Sequence, residues 1–163
     1  MKLFVKISQQ RMYNHYLPKL IESVRQLDLE ALWYKEMESL NSIGSIIIHI
    51  CEHIKRNSIR FSNQKHTSFN KGIEEHFPNL NLPPEELKKL VEETFNEFNL
   101  VMQELINNTP QEIDMHSLYH LVEHTGYHLG QIIDRSKRIT GTAFNFCQNG
   151  INEKKLKALI EER

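Results

Sequence analysis

The sequence predicts an all-α protein: a four-helix bundle with a long crossover connection and a short additional helix near its C-terminal end. Three observations lead there. Apolar residues recur at helical spacing over four long stretches. Those stretches are joined by a shorter link, a long polar connection and another short link, the order expected of a bundle with a crossover. The chain has 163 residues, 39% of them apolar, which suits one domain around one core.

The first helix is expected from about Phe4 to Leu27, kinked or restarted by Pro18. The following "DLEALWYKEMESLN" reads as a connection anchored by Trp33 and Tyr34, a packed lid edge. The second helix opens near "LNSIG", with Asn41 or Ser42 as N-cap, and runs to about Phe61. Ile43, Ile46, Ile47, Ile50 and Ile54 form its buried stripe. "SNQKHTSFNKGIEEHFPNLNLPP" is then a long polar connection, a crossover or a functional cover. Pro84, Glu85 and Glu86 suit the first turn of the third helix. Its core face is Leu87, Leu90, Val91, Phe95, Phe98, Met102 and Leu105, and it ends around Asn107 to Pro110. The fourth helix runs from about Met115 to Thr140, where Gly141 stops it. Leu118, Leu121, Val122, Leu129, Ile132 and Ile133 form its apolar stripe. "INEKKLKALIEER" is a short, charged, amphipathic helix expected on the surface.

A formal net charge of −1 and the lack of a polybasic run give no footprint for nucleic acid or an acidic membrane surface. The longest apolar run, "IIIHI", is far below membrane-spanning length. "MKLFVKIS" is too short and too interrupted by lysine for a signal peptide, so the expected location is the cytoplasm. Cys51 and Cys147 do not make a disulfide scaffold. Cys51, beside the apolar stripe, reads as a small buried hydrophobe.

Nine histidines are the unusual entry in the composition. Residues four apart on a helix are offset by about 40° and rise by about 6 Å, so two imidazoles so placed can converge on one ion. His124 and His128 meet this requirement, as do His120 and His124, and His49 and His53. Spacing alone does not choose among them. On a helical wheel His128, His124 and His120 lie roughly 70°, 110° and 150° from the fourth helix's stripe centre. His120 therefore points mostly to water. His53 lies roughly 80° and His49 roughly 120° from the second helix's stripe, which makes His53 the more inward of the two. "HTGYH" lacks the glutamate of the zinc-protease motif, and Glu52 and Glu123 project away from the histidine flank. Gln131 and Arg135 continue the histidine strip, where a solvated helix face is the expected role. Gly126 and Gly130, on the opposite flank, read as a place for close approach by another helix, a dimer interface included.

"SIGSIIIHICEHIKRN" followed much later by "EHTGYHLGQII" resembles the DinB-like (YfiT-like) family of metal-dependent enzymes, and the likeness spans most of the chain. The resemblance implies an up-down-down-up bundle, often a homodimer, holding a divalent ion, nickel or zinc, on three histidines. By position these are His49, His124 and His128, with His53 supporting or replacing His49. "HTSFNKGIEEHF" departs from the acidic, arginine-rich stretch that relatives carry there.

Three neutral imidazoles leave a divalent ion with open coordination positions, able to acidify a water or bind a thiol as its thiolate. No protein base is identified beside the histidines. The expected function is a metal-dependent transferase moving a low-molecular-weight thiol of the bacillithiol type to electrophiles. Its partners would be a small-molecule thiol or an electrophilic substrate. The alternatives are a metal-dependent hydrolase and a non-catalytic, stress-associated metal-binding dimer.

Overall fold

The computed structural model describes residues 1–62, 69 and 71–162. Positions 63–68 and 70, in the long connection after the second expected helix, lie outside the described residues. Among the described residues all regular structure is helical.

The first rod is built from three pieces. Helix α1 (Lys2–Arg11) runs into a π-helical turn, Met12–Tyr16, and then into α2 (Leu17–Val24). Pro18 sits in the first turn of α2. It has no N–H to give the preceding turn, and its ring would collide with the carbonyl four residues back in a regular helix. The chain widens just before it, and the Leu17 N–H bonds to the Met12 carbonyl five residues back. The expected break at Pro18 is thus a bulge, and the rod stays continuous.

The expected Trp33–Tyr34 connection contains a short helix, α3 (Leu29–Trp33), capped by Asp28, whose carboxylate accepts from the Ala31 N–H at 2.9 Å. The two aromatics part company: Trp33 is buried and Tyr34 is exposed. The Trp33 indole N–H donates to the Leu82 carbonyl at 3.0 Å. Its ring lies on Gly44, where a Cβ would fall 2.8 Å from three ring carbons. The glycine of the S-I-G entry is therefore the seat of Trp33.

Helix α4 (Ile43–Ser62) starts behind Ser42, whose hydroxyl oxygen accepts from the Ser45 N–H at 3.1 Å. The five stripe isoleucines are buried, and so are Ile48, His49, Cys51 and His53. The helix is enclosed on nearly every side along its first three turns. Helices α5 (Pro84–Asn107) and α6 (Met115–Thr140) match their expected spans. Asp114 caps α6 through the Ser117 N–H, and Gly141 ends it at φ 66. Helix α7 (Glu153–Glu161) lies on α1, inserts Leu156 and pairs Glu153 with Arg11 at 3.1 Å.

The α1–α2 rod packs on α5 and α6, and α4 packs on the same two helices. Phe95, Phe98 and Met102 of α5, the α4 isoleucines, Leu118, Leu121, Leu129 and Ile132 of α6, and Val5, Met12 and Leu20 of the first rod form one apolar cluster. The α4–α6 contact matters most for the site, because both helices carry histidines there. Among the described residues no helix is long and apolar enough to cross a membrane.

Candidate metal centre

Helix α4 presents His49 and His53 on successive turns, and α6 presents His120, His124 and His128 across from them. His49, His53 and His128 are buried; only 9% of the His124 side chain is exposed, and His120 is exposed. The wheel ranked His49 outside His53. The structure buries both, because α4 is covered on the flank that the wheel assigned to water.

A third segment closes the group. Gly72, at φ 90, leads into a single helical turn, Ile73–Glu75, followed by His76 and Phe77. The Phe77 ring stacks on His49 with centroids 4.0 Å apart and planes 22° apart. His76 faces Glu52 of α4 at 3.5 Å, and its carbonyl meets Nδ1 of His49 at 2.9 Å. A carbonyl only accepts, so His49 Nδ1–H is the donor and its Nε2 carries the free electron pair. That Nε2 lies 3.1 Å from His124 Nε2. Glu74 places a carboxylate oxygen 3.7 Å from His124 Nε2 and 3.9 Å from His53 Nε2.

Donor atoms of His49, His53, Glu74 and His124 all lie within 4.8 Å of one another. Donors at the corners of a tetrahedral zinc site, about 2.0–2.1 Å from the ion, stand roughly 3.3 Å apart. The spacings of 3.1, 3.7 and 3.9 Å straddle that figure. His128 adjoins the group. Its ring centroid is 4.5 Å from that of His124 and 4.9 Å from that of His49. Its Nδ1 lies 2.8 Å from the Gln131 amide oxygen, and Gln131 in turn donates to the Tyr127 hydroxyl at 3.2 Å. An amide oxygen only accepts, so His128 Nδ1–H is the donor to Gln131. Of the three histidines implied by the resemblance, His49 and His124 stand in the convergent group and His128 stands beside it.

The electrostatics favour metal binding. Burial pushes His49 down to about 4, against the bond to the His76 carbonyl. Burial and then the neighbouring imidazoles push His53 and His124 down to about 3. His128 is also lowered by burial, against its bond to Gln131. All four rings are neutral at neutral pH, the form that donates to a metal. His53 Nε2 and His124 Nδ1 are buried without a hydrogen-bond partner. An orphaned buried nitrogen costs about 1–3 kcal/mol unless something accepts its electron pair or its proton. His53 Nε2, beside the Glu74 carboxylate, is the orphan that a divalent cation with nitrogen and oxygen ligands would satisfy; the unpartnered His124 Nδ1 is the other ring nitrogen from the Nε2 that joins the group.

Glu74 is the residue that sequence reasoning missed. It has no helical spacing to any histidine and reaches them through the path of the connection. The absence of a carboxylate beside the histidines, inferred from Glu52 and Glu123, is thereby corrected. Gln131 is not simply solvated, since it positions His128, while Arg135 donates to the Asn41 carbonyl. The glycines divide. A Cβ on Gly126 would meet the Tyr16 hydroxyl of the same chain at 2.9 Å, whereas Gly130 has nothing within 4 Å. Close approach is real at Gly126, and it is intramolecular.

Searches against protein-family models, curated proteins and solved structures found no match for this chain. The histidine cluster and Glu74 therefore carry the functional argument on their own geometry.

Proposed function

We propose that this chain is a DinB-like metalloprotein, an up-down-down-up four-helix bundle that uses a divalent ion, nickel or zinc, to transfer a small thiol to electrophiles. The observation that carries the reading is the convergence of buried, neutral imidazoles from α4 and α6 with the Glu74 carboxylate. His49 and His124 would hold the ion, joined by His53 and Glu74 or by His128. When bound, the ion supplies a Lewis acid that lowers the pKa of a thiol or water.

The chain's own groups do the rest. The His76 carbonyl fixes the tautomer and direction of His49, and Gln131 does the same for His128. Phe77 covers one face of His49 and keeps water from it. Glu74, 61% exposed, stands where an entering substrate meets the cluster and can accept its proton. Because a carboxylate is present, metal-dependent hydrolysis is the second reading. The two differ in which nucleophile loses its proton.

Two measurements test the proposal. Protein purified without a histidine tag and supplied with nickel or zinc should hold close to one ion per chain by elemental analysis. The loaded protein should conjugate a low-molecular-weight thiol to chlorodinitrobenzene or a bimane faster than the His124→Ala variant does. Metal well below stoichiometry for every divalent ion tried sinks the reading. Full metal with ester cleavage and no thiol conjugation selects the hydrolase.

A further inference from the structure

His49 and His124 belong to both candidate ligand sets, and the remaining donors differ. The resemblance adds His128; the side chains that actually converge are His53 and Glu74, and His128 contributes no atom to that group. The four convergent donors are also mechanically unequal. His49, His53 and His124 are held on long, packed helices. Glu74 alone is well exposed, and it rides on a single helical turn entered through Gly72 at φ 90.

We propose that Glu74 is a loop-borne fourth ligand beside His49, His53 and His124, and that it holds the position a monoanionic donor of the substrate takes over. This rests on the metal reading above. The distances suit such a ligand: Glu74 lies 3.7 Å from His124 and 3.9 Å from His53, each about half an ångström longer than a tetrahedral edge and closed by a small side-chain shift. Charge names the class of incoming group. Three neutral imidazoles and a divalent ion carry a net charge of two. One carboxylate lowers that to one, in a pocket where charge is costly. Exchange of the carboxylate for another monoanion leaves the buried charge unchanged, while exchange for a neutral amine or alcohol raises it. A thiol fits once it has lost its proton: the S–H bond breaks, the sulfur keeps the electron pair, and the freed Glu74 carboxylate takes the proton as a new O–H. Nothing is oxidised or reduced.

Cobalt(II) alone is the probe, on the full chain, because its ligand-field spectrum reports coordination number and donor type. Glu74→Gln should lower cobalt affinity about tenfold or more and change the ligand-field bands. Adding 2-mercaptoethanol to the cobalt-loaded natural chain should replace that spectrum by one with a sulfur-to-cobalt charge-transfer band. In Glu74→Gln the same band should appear at about tenfold lower thiol concentration, because no carboxylate competes. His53→Ala should weaken cobalt binding more than His128→Ala, with circular dichroism confirming that both variants are folded. Unchanged cobalt affinity and spectrum in Glu74→Gln overturn the proposal, as does a larger loss in His128→Ala than in His53→Ala. Failure of the natural, folded chain to bind cobalt at all overturns the metal reading itself. Glu74→Gln is a surface change and remains informative if a buried histidine variant fails to fold.

Discussion

Burial decides the protonation of the central imidazoles, and protonation links them to stability. His49, His53 and His124 titrate at about 4, 3 and 3 in the folded chain, against 6.5 for a free histidine. Between those values the unfolded chain binds more protons than the folded one, so stability rises with pH. Their contribution is complete above about pH 6.5 and is lost as pH falls from there toward the folded values. In chelator, the midpoint of urea denaturation should therefore drop between pH 7.5 and pH 5. His53→Ala should show a smaller drop than the natural chain. Equal midpoints at both pH values contradict the assignment. A second residue-scale expectation separates ligand from bystander: His120→Ala, on the exposed end of the strip, should leave nickel affinity within about twofold, whereas His124→Ala should lower it by about a hundredfold or more. Spacing alone made the histidine pairs legible. The order of His49 and His53 was not, because a wheel built on one stripe assumes water opposite it, and the flank of α4 that carries His49 is covered. Glu74 was not legible at all, since the ligand geometry of a loop depends on where the chain travels and not on local periodicity.

Helices with strong punctuation declared themselves. Pro84 opens α5 and Gly141 stops α6 where the sequence places them; α5 ends at Asn107, inside the expected stretch from Asn107 to Pro110, and Asp114 caps the start of α6. The first rod was less legible. A π turn carries an extra residue, which rotates α2 relative to α1 and spoils any single wheel drawn through Pro18. Glycines show the same limit: sequence marks a missing side chain without saying what fills the space. Gly44→Ala should cost about 1–3 kcal/mol, since the Trp33 ring occupies the Cβ position and is itself pinned to Leu82. Gly130→Ala should stabilise by up to about 1 kcal/mol, because the site is a helix interior with open space around it. Chemical denaturation of the two variants checks both signs.

At the scale of the whole molecule, the candidate ligands bring together segments far apart in the chain: α4, the turn at Glu74, and α6. An ion that binds only when these meet stabilises the folded state by mass action, about 2.7 kcal/mol at a free concentration a hundred times Kd. Nickel or zinc should raise the melting temperature of the natural chain in a concentration-dependent way and leave that of His124→Ala unmoved. An equal shift in both would place the ion elsewhere. The helical class and the apolar stripes were visible in the sequence because each follows from local pattern. How the rods pair was not, because it depends on contacts between distant stretches of chain.

The two cysteines, finally, differ in exposure. Cys147 is open to solvent, while Cys51 is buried between α4 and α5 with its thiol pushed up to about 12 by desolvation. A maleimide offered to the native protein should consume one thiol at once. The second should follow only as often as α4 lifts from the core. Because α4 also carries His49 and His53, the slow phase times the opening of the histidine cluster without any engineered label, and a bound ion should lengthen it.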